Sequence, residues 1–139
     1  MKLRAMTIDD YDDVYAIWSE MPGVGLGDSE DSREGIQVFL EKNAKLCFVA
    51  EDGERVIGCV LCGSDGRRAT FYHLAVRRDA RRKGIGRALV DTCMNALREE
   101  GIRKARLYAF ASNVDGNAFW EAVGFTGRDD LVLRNRVVN

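Results

Sequence analysis

Apolar positions along this chain switch between helical spacing and short continuous or alternating runs, and the switches mark out its elements. KLRAM predicts a first strand. Thr7, followed by Asp9 and Asp10, reads as a helix N-cap with acidic residues in the first turn, where the helix dipole favours them. Ile8, Tyr11, Val14, Tyr15 and Trp18 then recur at helical spacing through about Ser19, and MPG ends the pattern. From Met21 to Asp31, MPGVGLGDSED is rich in glycine and acid and predicts a connection. Ser32 or Asp31 is placed to cap a second helix over REGIQVFLEKN, with Ile36, Phe39 and Leu40 on one face.

Three β-rich runs follow, KLCFVAE, RVIGCVLCG and TFYHLAVR, separated by the turn residues DGE and SDGRR, and they predict an antiparallel meander. GIGRALVDTCMNALREEG carries Leu89, Cys93, Ala96 and Leu97 on one stripe and Gly101 as a stop. KARLYAF predicts another strand, NVDGNAFWEAV a short helix ending at Gly124, and DLVLRNR a last strand. The order β-α-α-β-β-β-α-β-α-β predicts an α/β (α+β) fold: a mixed, mainly antiparallel sheet of six to seven strands with helices on both faces. No repeat, linker or low-complexity tract divides it, so residues 1–139 are expected to form one domain.

Composition narrows the function. A chain of 139 residues, 46% hydrophobic with one proline, can bury a real core. Its formal net charge of -1 makes any basic patch local and argues against general nucleic-acid binding. No apolar run approaches the roughly 18 residues of a membrane helix, and MKLRAMTIDDYDD lacks a signal-peptide core. A cytoplasmic location without a membrane partner is therefore expected. The four cysteines, Cys47, Cys59, Cys62 and Cys93, lie in apolar segments and read as buried reduced thiols. IGCVLCG contains C-x-x-C, but on a strand residues three apart face opposite sides, so Cys59 and Cys62 are not expected to share a metal. A redox dithiol would want a helix start there, and none follows.

The chemistry concentrates in VRRDARRKGIGRALV. A strand, a basic glycine turn and a helix start bring free backbone N–H groups and the positive end of a helix dipole to one place, which suits an anion. Gly84 and Gly86 remove Cβ atoms that would hold a phosphate away, while Arg81, Arg82, Lys83 and Arg87 can meet its charge. A dinucleotide fingerprint would need glycine or alanine where Leu89 stands, and a Walker loop would need its lysine after the glycine that Lys83 precedes.

Arg81-Arg82-Lys83-Gly84-Ile85-Gly86 resembles the R/Q-x-x-G-x-G/A signature of the GNAT N-acetyltransferases. The preceding TFYHLAVRRDAR, and NVDGNAFWEAVGF with its likeness to N-x-x-(A/G)-x-x-(F/L)-(Y/W)-x-x-x-G-F, extend the resemblance, and the element order carries it over nearly the whole chain. The resemblance implies transfer of an acetyl group from acetyl-CoA, as co-substrate, to a primary amine by direct attack in a ternary complex. It implies that the loop holds the pyrophosphate through backbone N–H groups, Ile85 among them. It further implies that the strand before the loop splays at a bulge, so that Leu74, Ala75 and Val76 offer main-chain contacts to the pantetheine arm. Asn113 would reach the arm, with Asn117 and Trp120 beside it.

Two positions depart from the family pattern. Where many members carry a tyrosine that protonates the leaving thiolate, this chain has Trp120, and where some hold a glutamate it has Tyr108. An unperturbed imidazole exchanges its proton near neutral pH, and His73, the single histidine, lies on the strand where the acetyl group is expected, so His73 and Tyr108 are the catalytic candidates. Tyr72 would face the opposite side of the sheet from His73 unless a bulge re-aims it. Trp18, Asp28 and Asp31, with Glu30 and Tyr72, suit a small cationic amine as acceptor. A protein N-terminus or lysine stays open as substrate, and so does a CoA-binding regulatory module without turnover. An exposed edge near DLVLRNR offers a second copy a pairing surface, hence a homodimer.

Overall fold

The computed structural model describes residues 1–27 and 29–139. Strand β1 (Lys2–Ala5) leads through a short 3-10 turn (Ile8–Asp10) into α1 (Tyr11–Ser19), and α2 (Arg33–Lys42) follows. The meander is β2 (Phe48–Asp52), β3 (Arg55–Ser64) and β4 (Ala69–Val76). Then come α3 (Ile85–Glu99), β5 (Ala105–Leu107) and α4 (Val114–Ala122). The sheet has five strands in the order β1-β2-β3-β4-β5, antiparallel except for the parallel pair β4–β5.

Local chemistry explains the boundaries. Thr7 N–H donates to Asp10 Oδ2 at 2.9 Å, which fixes the entry to α1. Ser32, of the two residues placed to cap α2, does so: its hydroxyl accepts from Gly35 N–H at 3.1 Å. Arg4 on β1 grips Asp10 through two hydrogen bonds of 2.9 and 2.7 Å and also reaches Glu51 on β2, locking the first strand to the helix start.

β3 is buried on both faces. One face meets α3 through Ile85, Leu89, Val90, Cys93 and Leu97, packed with Val60, Cys62 and Phe71. The other meets α1 and α2 through Val14, Ile17, Trp18, Ile36 and Leu40, packed with Val49, Cys59, Leu61 and Ala75. Each large aliphatic side chain buried in this way contributes about 1.5–3 kcal/mol. Cys59 and Cys62 fall into opposite clusters, as strand alternation requires, and all four cysteines are free.

The carboxy-terminal expectation is corrected. DLVLRNR has strand alternation but forms no strand, and Leu131, Val132 and Leu133 are 65%, 74% and 59% exposed. β5 spans only Ala105–Leu107 and offers this segment no ladder within the chain, so the sheet stops at five strands instead of six or seven. α4 likewise buries none of its residues fully. Among the described residues, no helix is long and apolar enough to cross a membrane.

Candidate active site

The site grows from an irregularity in β4. Against β3, Val60 pairs with Leu74 and Cys62 with Phe71, so β4 spends one more residue than β3 over the same interval. That is a bulge at Tyr72 and His73. It turns both side chains toward α1 and α2: Tyr72 stacks edge-on against Phe39 at 5.5 Å, and His73 edge-on against Trp18 at 4.9 Å. The bulge therefore re-aims Tyr72 to the same side as His73, overriding simple alternation.

Pairing with β5 ends at the same level. Ala69, Thr70 and Phe71 pair with Ala105, Arg106 and Leu107, and the two strands then part. Arg77 N–H donates to Ile57 O on β3 at 2.8 Å. By antiparallel alternation Ala75 also turns its backbone groups to β3, while those of Leu74 and Val76 face the opening between β4 and β5. Of the three main-chain contacts expected from sequence, Ala75 is thus directed away. The Val76 carbonyl accepts from Arg81 Nε at 3.2 Å.

The glycine loop lies at the end of β4. Arg82 and Gly84 adopt positive φ of 64° and 78°, the left-handed conformation that turns successive N–H groups inward. Gly84 stands at the N-cap of α3 without a side-chain cap, and the first turn holds no acidic residue. Ala88 N–H makes the return bond to Gly84 O at 3.0 Å, so the N–H groups of Ile85, Gly86 and Arg87 precede the helical ladder. A Cβ on Gly86 would lie 3.2 Å from the Phe119 ring, so glycine lets α4 pack against this turn. The uncapped turn, the basic side chains of Arg82 and Lys83 and the outward backbone of Leu74 and Val76 fit a ligand with a phosphate end and an amide-bearing arm.

Asp31 arrives from the loop before α2. Its Oδ1 lies 2.8 Å from His73 Nε2, its Oδ2 accepts from Gly27 N–H at 2.6 Å, and its carbonyl accepts from the Tyr11 hydroxyl at 2.6 Å. The Asp31 and His73 side chains are 8% and 11% exposed. Burial, then the neighbouring Tyr15 and Asp31, push the Tyr11 phenol upward. The Trp18 indole N–H is buried without a hydrogen-bond partner, the Cys59 sulfur beside it being only a weak acceptor.

A model of the acetyltransferase (GNAT) family matches residues 11–125. The chain belongs to the GNAT family. An acetyltransferase of Yersinia pestis (strain Pestoides F) is 26% identical over 138 residues, covering 99% of this chain and 96% of its own length. The PaiA N-acetyltransferase of Thermoplasma acidophilum, solved with coenzyme A, superposes with a TM-score of 0.77 at 19% identity, over 92% of this chain and 91% of its own. An aminoglycoside acetyltransferase from an uncultured soil metagenomic sample, solved with sisomicin, gives 0.76 at 19% identity, over 99% and 96%.

Within this GNAT acetyltransferase several expected residues have other partners. Trp18 is 1% exposed, so its faces are closed to a substrate cation. Asp31 is buried against His73 and is not a free surface carboxylate. Asp28 lies outside the described residues. Arg87 donates to Ala122 O at 3.2 Å, capping the end of α4. Asn113 Oδ1 accepts from Gly116 N–H at 3.0 Å, and Asn117 Nδ2 donates to the Phe110 and Asn113 carbonyls at 3.0 and 2.9 Å, so both amides hold the turn before α4. Trp120 packs with Phe71, Phe119 and Phe125 at ring separations of 6.2, 5.2 and 5.3 Å. Tyr108 follows directly on the last β5 pair and is 59% exposed. The Met21–Gly27 stretch, part of the connection between the first two helices, reaches across to the glycine loop and α4: Arg81 reaches the Met21 sulfur, and Gly23 and Gly25 lie against the Asn113 and Phe110 side chains.

Proposed function

We propose that this chain transfers an acetyl group from acetyl-CoA to the primary amine of a small cationic molecule, with His73 taking the proton that the amine releases. The observation that carries the reading is the uncapped glycine start of α3 beside the parted strands β4 and β5. Arg82, Lys83 and the N–H groups of Ile85, Gly86 and Arg87 would hold the pyrophosphate, and the backbones of Leu74 and Val76 the arm. Bound acetyl-CoA supplies a thioester that a neutral amine attacks, the C–N bond forming as the C–S bond breaks and the thiol leaves. The hydroxyl of Tyr108, the residue after the last β5 pair, would serve as proton donor in place of the missing family tyrosine.

For the acceptor, the aminoglycoside acetyltransferase among the structural neighbours supports a small amine. Exposed Glu30 and the half-exposed Tyr72 ring beside Phe39 support a cation. The exposed aliphatic residues Leu131 to Leu133 support pairing with a second copy, which sedimentation velocity would register as a dimer. The direct test is thiol release from acetyl-CoA over a panel of polyamines, aminoglycosides, amino acids and amino-terminal peptides. Steady release that depends on a small cationic amine is expected. Tight acetyl-CoA binding with no amine-dependent release would instead mark a binding module, and preference for peptides would overturn the acceptor class.

A further inference from the structure

We infer that Asp31 is a positioning residue for His73: its carboxylate fixes the imidazole with the proton on Nε2 and leaves Nδ1 as the lone-pair nitrogen that takes the amine's proton. The inference rests on the acetyltransferase reading above and moves Asp31 from the substrate's surroundings into the path of the proton.

A carboxylate only accepts, and a neutral imidazole has one N–H and one lone pair. A separation of 2.8 Å between Asp31 Oδ1 and His73 Nε2 therefore places the hydrogen on Nε2. Nδ1 makes no hydrogen bond to the described residues. The one buried side-chain nitrogen or oxygen left without a partner among them is Trp18 Nε1. Asp31 is itself held from two sides, by Gly27 N–H and by the Tyr11 hydroxyl. The Trp18 ring, inclined 64° to the imidazole, limits its rotation. Tyr11 and Trp18 from α1 contact the pair, and Tyr15, Glu34 and Asp12 lie near the Tyr11 phenol. Asp31 is the carboxylate in hydrogen-bond contact with the ring.

A purely structural pair would set the same tautomer but would leave kcat unchanged in a folded Asp31→Asn chain. His73 is the single histidine, so long-range nitrogen-15 spectra of the imidazole are unambiguous. The wild-type chain is expected to show the Nε2–H tautomer alone in its neutral form, a measurement that needs no variant. Asp31→Asn is expected to give mixed tautomers and a kcat reduced about 10-fold or more with the amine KM little changed. Asp31→Glu should restore part of the rate. An Nδ1–H or mixed tautomer in the wild type would overturn the inference. So would a folded Asp31→Asn chain that keeps the Nε2–H tautomer alone, or one that turns over as fast as the wild type. If the tautomer signature holds and its loss in Asp31→Asn is seen, yet no amine is turned over, the pairing stands and the failure belongs to the acceptor reading.

Discussion

His73 Nε2 and Asp31 Oδ1 lie 2.8 Å apart although 42 positions separate the residues in the chain. One sits on the bulge of β4 and the other in the loop before α2, and Trp18 packs against the imidazole from α1. The pair stands at the level where the β4–β5 ladder ends.

Replacing His73 with Gln removes the proton acceptor but keeps a polar side chain of similar reach. Turnover is expected to fall about 10²-fold, the size of a general-base contribution, with acetyl-CoA affinity changed little. Steady-state kinetics across a pH series checks this; unchanged turnover at every pH would remove His73 from the mechanism.

The phosphate end of the site responds to different substitutions. Gly84 has a φ of 78°, so Gly84→Ala is expected to destabilise the chain by about 1 kcal/mol. Gly86→Val would drive a branched side chain into Phe119, already 3.2 Å from the position of a Cβ. Arg82→Ala with Lys83→Ala should weaken acetyl-CoA binding about 10-fold at low salt and less at high salt, because both side chains are exposed and screened. Calorimetric titration at two ionic strengths separates these outcomes; an affinity insensitive to both changes would take the pyrophosphate away from this loop.

Much of this arrangement is legible in sequence, and the rest is hidden for physical reasons. Helical spacing and turn residues give α1 to α3 and the meander, because burial of one face leaves a period in the chain. Gly84 and Gly86 betray the loop, since glycine takes the left-handed conformation most readily and leaves out the Cβ at a close approach. The partnership of Asp31 with His73 leaves no local trace: a loop carboxylate looks alike whether it meets water or an imidazole. The bulge is implied by the family resemblance and not by residue type, because β-branched and aromatic residues fill TFYHLAV whether or not a residue is inserted, and that insertion decides where Tyr72 points. DLVLRNR misleads in the opposite sense, with strand alternation but no neighbouring edge within the chain to pair with.

The Arg4–Asp10 contact gives stability a pH dependence. Burial works to raise the Asp10 carboxyl, but the Arg4 guanidinium and the Thr7 N–H outweigh it and hold the group below the usual carboxylate range. The folded value being the lower one, this stabilisation is complete above the ordinary carboxylate range and is lost as pH falls through the depressed folded value. Arg4→Met should cost about 1.5–3 kcal/mol at neutral pH and less in acid. Denaturant titrations at neutral and acid pH read the difference; an equal loss at both would contradict it.

Burial also sets the thiols. It pushes Cys47 and Cys59 up to about 12, while Cys93 is pushed up by its neighbour Cys62 and by burial. The native chain is expected to leave an aromatic disulfide reagent almost unreacted at pH 8, and the unfolded chain to titrate fully. Rapid modification of the folded protein would show that one thiol is accessible.

The most direct test of the account is a crystal structure with coenzyme A bound. It should place the pyrophosphate on the N–H groups of Ile85, Gly86 and Arg87, the arm along Leu74 and Val76, and the sulfur within one ordered water of His73 Nδ1. A sulfur directed away from His73, or a pyrophosphate held elsewhere, would contradict it.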